Sequence, residues 1–212
     1  AKITDNAITL AKMVHGTDGN IISYDTNGAP VAVATGNDGQ VLTSAGAGAV
    51  PTFETLPVGG ITNAQHWRIT AAHSDMDNGD HVTNNWEVAD SYGYGGIGSA
   101  MSQSNGIFTF PSTGIWNIVF IANGSDGTAQ LYIGGRITTT TDNSNYNVAN
   151  QANASINSNS YFTTYSTYMF DVTNTTTHKV RFAVHCQNNE IALSGNTDRS
   201  DTCATFIRLG AT

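Results

Sequence analysis

The sequence predicts an all-β chain, with a short N-terminal anchor and a glycine-rich β shaft leading into a C-terminal antiparallel β-sandwich of the jelly-roll kind. Three observations predict it. Charged residues make up only 11% of the 212, against roughly a quarter in an ordinary soluble domain, and Thr, Ser, Asn and Gly fill the deficit. Thr suits a pleated strand, while Asn and Gly suit turns. From residue 61 onward, short runs of apolar alternation recur between polar turns, the spacing of a sandwich or jelly roll. Before them lies an internal repeat.

In chain order, Ile3, Ala7, Leu10 and Val14 recur at three- and four-residue spacing, which reads as a short helix or, at ITL, as a strand. The repeat follows with a period of 20. Residues 16–35 align with 36–55, matching Gly16 with Gly36, Asp18 with Asp38, Gly19 with Gly39, Ile21 with Val41 and Gly28 with Gly48. Two such copies cannot bury a core alone. Intertwining with other copies, as in a trimeric shaft, is the favoured expectation, and a loose glycine-rich linker is the alternative. Leu56–Gly60 (LPVGG) reads as a hinge, since every Trp and both Cys lie beyond it. The expected domains are therefore 1–58, anchor and shaft, and 61–212, the tip.

Within 61–212, strands are expected at 66–71, 85–89, 129–133, 161–172, 178–186 and 203–209. The central element is 106–121 (GIFTFPSTGIWNIVFI), read as two strands joined by a tight turn at Pro111–Gly114. Phe108, Phe110, Trp116, Ile118 and Phe120 share its core face. Residues 138–160 read as one long polar loop.

Charge and motif content exclude several functions. With 8 Lys and Arg against 16 Asp and Glu, the net charge is −8 and the cations form no run, so no nucleic-acid partner is expected. No stretch approaches the roughly 18 apolar residues of a membrane span, so no membrane insertion is expected. Cys186 and Cys203 sit on strand patterns and read as buried free thiols or as a bridge across the intervening polar loop.

GYGGIG (Gly93, Gly95, Gly98) satisfies G-x-G-x-x-G, but no apolar strand leads into it and no helical pattern follows, so it reads as a turn or a close backbone approach. Asp75, Asp77 and Asp80 in HSDMDNGDH could hold calcium, yet the EF-hand ligand spacing is broken at Gly79; a solvated acidic turn is favoured. Glu87 and Asp90 form a carboxylate pair of the kind that hydrolyses sugars, a pairing common by chance near a strand end. No catalytic residue, metal site or cofactor is predicted, and the chain is expected not to be an enzyme. Asn123, Asn153 and Asn174 begin N-x-S/T sequons.

At Phe108–Phe120, FTFPSTGIWNIVF resembles the F-x-x-P-x-x-G-x-Y/W core of the trimeric jelly rolls in the complement globular head and the tumour necrosis factor family. FDVTNTTTHKVRF at 170–182 and ATFIRLGAT at 204–212 fall where that family has its last strands. Residues 61–212 also resemble fibre-tip domains of bacteriophages of aquatic bacteria, and 3–54 is similar to the shafts preceding such tips. The resemblance implies a homotrimer with the Phe108–Phe120 face in its core, and the lack of a Gly-X-Y stalk favours the viral relatives.

It further implies a non-enzymatic virion fibre protein, exposed on the particle surface. Its tip would bind a host glycan or lipopolysaccharide, and its N-terminal segment would meet other virion proteins. Tyr92, Tyr94, Tyr146 and Tyr161, with Asn143, Asn145 and Asn147, are the candidate receptor-binding residues, because a ring stacks on a sugar face while amides bond its hydroxyls. A capsid fibre or decoration protein is the alternative, and a secreted recognition trimer the third.

Overall fold

The computed structural model describes residues 14–56 and 60–212. The N-terminal element, read as a short helix or a strand, and most of the Leu56–Gly60 hinge lie outside the described residues. The chain divides into two compact units, Ala1–Gly59 and Gly60–Thr212.

In the first unit each copy of the repeat is one antiparallel hairpin. β1 (Ile21–Tyr24) pairs with β2 (Pro30–Val33), and β3 (Gln40–Thr43) pairs with β4 (Thr52–Thr55). The Asp25 carboxylate accepts from the backbone N–H of Asn27 and Ala29, an Asx turn that closes the first hairpin. Thr35 donates its hydroxyl to the Asp18 carbonyl and ties the two ends of that copy together. Val33 is buried, but Ile21, Ile22, Tyr24 and Leu42 stand exposed.

The second unit is a jelly-roll sandwich built from β5 (Asn63–Ile69), β6 (His73–Met76), β7 (Trp86–Val88), β8 (Ser102–Ser104), β9 (Ile107–Thr109) and β10 (Gly114–Asp126), followed by β11 (Gln130–Thr140), β12 (Asn147–Ile156), β13 (Ser160–Val172), β14 (Lys179–Cys186), β15 (Ile191–Leu193) and β16 (Cys203–Gly210). One sheet has five strands in the order β12-β11-β14-β9-β8; the other has seven, in the order β6-β15-β10-β16-β5-β7 with β13 along the free edge of β10. All pairings are antiparallel.

β10 shows the local cause most plainly. Its even-numbered residues, from Gly114 to Asp126, are all buried and its odd-numbered ones are half-exposed, the period of a strand with one face on a core. Between the sheets, Phe108 of β9 meets Trp67, Trp86, Phe182 and Phe206 at ring-centroid distances of 5.3, 5.2, 5.5 and 5.1 Å. Phe108, Phe110, Trp116, Ile118 and Phe120 are all buried as expected.

The expected hairpin is not formed. β9 pairs with β8 and β14 in one sheet, whereas β10 pairs with β13, β15 and β16 in the other. Pro111–Thr113 is a crossing between sheets, braced by the Trp116 indole N–H donating to the Ser112 carbonyl at 3.2 Å. Strands of a sandwich can share one core face without sharing hydrogen bonds, which alternation alone does not reveal. Gly114 at the landing has φ 138°, and a Cβ there would collide with the Gly210 carbonyl oxygen.

The expected 138–160 loop is also corrected. Thr138–Thr140 end β11, and 147–156 form the edge strand β12 along it. Its inward residues Ala152, Ala154 and Ile156 are only half-buried, so short side chains among Asn and Ser hid the period. The unit has more strands than the eight named from the sequence, the surplus being mainly short pieces such as β6, β8 and β15.

Replacing Phe108 by Ala deletes the ring shared by both sheets and is expected to cost about 3–5 kcal/mol. Urea unfolding followed by tryptophan fluorescence measures it, and a loss below about 1 kcal/mol would contradict this packing.

Candidate functional site

The outward side of β5 carries His66 and Arg68, on the opposite face from Trp67 and Ile69 in the core. Arg68 is 1% exposed and its guanidinium gathers two separate segments, 87–91 and the loop at Asp198. Its Nε donates to Glu87 at 2.8 Å, Nη2 to Asp90 at 2.6 Å, and Nη1 to the Ser91 hydroxyl at 2.7 Å and the Asp198 carbonyl at 3.2 Å. Ser91 also donates to that carbonyl, at 2.6 Å. Hydrogen-bonded partners make such a buried cation tolerable. The two carboxylates are therefore engaged in a structural ion cluster, which gives the sugar-hydrolysing role no free acid or base.

This cluster holds the 90–95 loop beside the 196–200 loop and opens a cavity of about 580 Å³ between them, lined by His66, Tyr92, Tyr94, Asn196, Asp198 and Arg199 among others. The Asn196 amide oxygen accepts from the backbone N–H of Asp198 and Arg199, which fixes the second loop. The Tyr94 hydroxyl accepts from the His66 backbone N–H at 3.1 Å. His66 shares a 2.8 Å hydrogen bond with the Thr205 hydroxyl, and burial, then the Arg68 charge, lower its pKa, so the ring is neutral at pH 7. Arg199 grips Asp201 with two donors at 2.7 and 3.0 Å.

Tyr92 is the outlier in this wall. Its φ is 56°, the left-handed region that suits glycine and asparagine, and its side chain is 88% exposed.

The structure brings Tyr92 and Tyr94 together and leaves the other candidates elsewhere. Asn143, Asn145, Tyr146 and Asn147 follow β11 at the end of the sandwich where Thr140, Lys179 and Thr109 are paired. There the Asp142 carboxylate accepts from Ser144 and from both nitrogens of Asn145, bonds that hold it well below the usual carboxylate range. Asn143 has φ 58° and donates its backbone N–H to Thr177. Tyr146 is half-buried with the Arg181 guanidinium 3.9 Å over its ring, so that face is already covered. Asn147 is exposed at the start of β12. Tyr161 is exposed opposite Ser125, at the far end of β10 and β13.

Sequence reasoning missed Arg68, His66 and the 196–200 loop. A lone arginine inside an apolar strand, with two acids later in the chain, was the available signal. Gly98 proves a close approach, since a Cβ there would strike the Thr62 carbonyl oxygen. In HSDMDNGDH, Asp80 accepts from the Asp77 backbone N–H, and no three potential metal ligands converge among the described residues. Cys186 and Cys203 are free, buried and in opposite sheets.

Comparison with solved structures places the fold. A crystal structure of murine APRIL is 16% identical, with a TM-score of 0.50 over 69% of this chain and 98% of that one. The structure of Eiger TNF from S. frugiperda is 13% identical, with a TM-score of 0.51 over 70% of this chain and 93% of that one. What is shared is the fold. It is the tumour necrosis factor jelly roll that residues 108–120 resemble. No protein-family model and no curated protein sequence matches the chain.

Glu87 and Asp90 are expected to differ in weight. Glu87→Ala removes a carboxylate that is 34% exposed and leaves the buried guanidinium short of a partner, costing about 1–3 kcal/mol; Asp90→Ala removes one that is 75% exposed and costs below about 1 kcal/mol. Chemical denaturation of the two variants checks the order. Burial pushes both thiols up to about 11, so neither is expected to react with iodoacetamide at about pH 8 until the chain is unfolded. A raised pKa keeps the folded proton on where the unfolded thiol loses it. That contribution to stability is full at neutral pH and fades as pH rises from about 9 toward 11.

Proposed function

We propose that this chain is a non-enzymatic virion fibre protein whose trimeric tip, 61–212, attaches the particle to a host cell surface. Residues 1–58 serve as the anchor, which meets other virion proteins, and as the repeat-containing shaft. The protein is assembled in the host cytoplasm and displayed on the particle surface. The resemblance of 61–212 to phage fibre tips and of 3–54 to their shafts supports this assignment.

The observation that carries it is the outer face of the seven-stranded sheet. β10 presents Ile115, Val119 and Ile121 outward; β13 presents Tyr165 and Met169, 59% and 67% exposed; β16 adds Ile207 and Leu209. Ile121 lies beside Tyr165 and Asn117 beside both Met169 and Ile207, so these side chains form one continuous surface. An apolar face of this extent calls for a partner, and copies of the same chain around an axis supply one. Ile21, Ile22, Tyr24 and Leu42 of the hairpins make the same demand in the shaft. The cleft below Tyr92 opens beside β5, one strand beyond β16, and is repeated in every copy. Three weak sites on one tip gain by avidity.

Light scattering is expected to give three times the 22.3 kDa chain mass, with 16–55 resistant to protease in the assembly. Met169→Glu is expected to shift the mass to one chain and expose that segment. A monomeric native protein would overturn the proposal. So would a trimer that fails to bind a panel of aquatic bacterial cells, moving the assignment to a structural part of the particle.

A further inference from the structure

We propose that the cleft between the 90–95 and 196–200 loops takes a neutral saccharide, with one hexose unit seated on the Tyr92 ring and its hydroxyls held by Asp198. This rests on the attachment function proposed above and names the chemical class of its ligand at this one site.

Tyr92 gives the first reason. A bulky residue in the left-handed region is strained, and burial of its ring would be the usual compensation. Here the ring is 88% exposed, so the strain serves no packing inside the fold. Tyr146 makes the contrast, since its ring is stacked under Arg181. An uncovered aromatic face beside a cavity of about 580 Å³ suits the apolar face of a sugar ring, and the volume lies inside the roughly 300–1,000 Å³ of small-molecule sites.

The charges give the second. Two guanidinium groups border the cleft, but both are committed. Arg68 directs Nε, Nη1 and Nη2 into Glu87, Ser91, Asp198 and Asp90. Arg199 gives its fork to Asp201. Four carboxylates, Glu87, Asp90, Asp198 and Asp201, therefore stand against two cations. A sialic acid, uronic acid or phosphate would enter a field of net like sign, with only the outer Nη edge of the already paired Arg199 to receive it.

Asp198 supplies what a neutral ligand needs. Its backbone N–H is bound by Asn196 and its carbonyl by Arg68 and Ser91, so the backbone is fixed, the residue is exposed in the cleft wall, and its carboxylate is left out of these bonds. Two acceptor oxygens on a fixed backbone match two adjacent hydroxyl donors. His66, neutral at pH 7, and Ser200 add uncharged polar groups to the wall.

The test is saturation-transfer NMR on the full-length chain with methyl glycosides of glucose, galactose, mannose, rhamnose and N-acetylglucosamine, set against glucuronate, N-acetylneuraminate and inorganic phosphate. At least one neutral glycoside is expected to give ring-proton signals that Tyr92→Gly and Asp198→Asn each abolish. Tyr92→Gly is also expected to keep or raise the thermal midpoint, because glycine accepts φ 56° without strain, which separates loss of binding from loss of fold. Signals from the anionic probes alone would overturn the proposal, as would neutral signals that survive both substitutions. Silence across the panel from a chain that still binds bacterial cells would overturn the saccharide assignment and leave attachment standing. Silence together with failure to bind cells would remove both.

Discussion

The sandwich depends on the aromatic knot around Phe108. Its ring, from the five-stranded sheet, touches Trp67, Trp86 and Phe206 of the opposite sheet and Phe182 of its own. A sheet buries one face only by meeting another layer, and here the meeting is made by large rings at edge-on and tilted angles, which fix mutual orientation as well as distance. The position of the cleft follows from that knot. Trp67 is locked inward, so its neighbours His66 and Arg68 on β5 must face outward. Arg68 then gathers Glu87, Asp90 and Ser91 from the chain around β7, and the Asp198 carbonyl from the loop before β16.

Much of the sandwich was legible because its signal is period two. The Phe108–Phe120 face and the burial of both cysteines followed from alternation and side-chain size. Pairing did not, because alternation records which way a side chain points and is silent on which strand lies alongside. Phe108 and Trp116 share a core across two sheets, so a hairpin and a crossing leave the same pattern in sequence. β12 failed for a different reason. An edge strand half-burying alanines among asparagines has too little contrast to stand out from a polar loop.

The cleft was half legible. Tyr92 and Tyr94 could be singled out as loop aromatics near glycines, but their wall is completed by 196–200, a hundred residues later. Nothing local in SGNTDRSDT marks it as a partner. The carboxylates Glu87 and Asp90 were visible as a pair and acquire their meaning from Arg68. The sequence shows charges; which charges cancel is decided by the fold. Tyr146 and Tyr92 looked alike in sequence, and the presence of Arg181 over one ring alone distinguishes a covered aromatic from an open one.

The scarcity of charge links these features. With 11% charged residues, the chain has few means of keeping a broad surface hydrated, and the outward rows of β10, β13 and β16 carry Ile, Val, Tyr and Met among Asn and Thr. Such a surface favours association over isolation. The cleft is built on the opposite rule, with three carboxylates and the Asp198 carbonyl drawn to two guanidiniums along one margin of the same sheet. Apolar side chains of this kind are suited to burial against another protein surface, and in the trimer proposed above a second copy would supply it. The polar cleft is different, because its guanidiniums are already paired with carboxylates within the chain and the Tyr92 ring stands bare beside it. A ligand rich in hydroxyl donors with an apolar face would suit it, and under the function proposed above the two zones of the sheet would divide assembly from recognition.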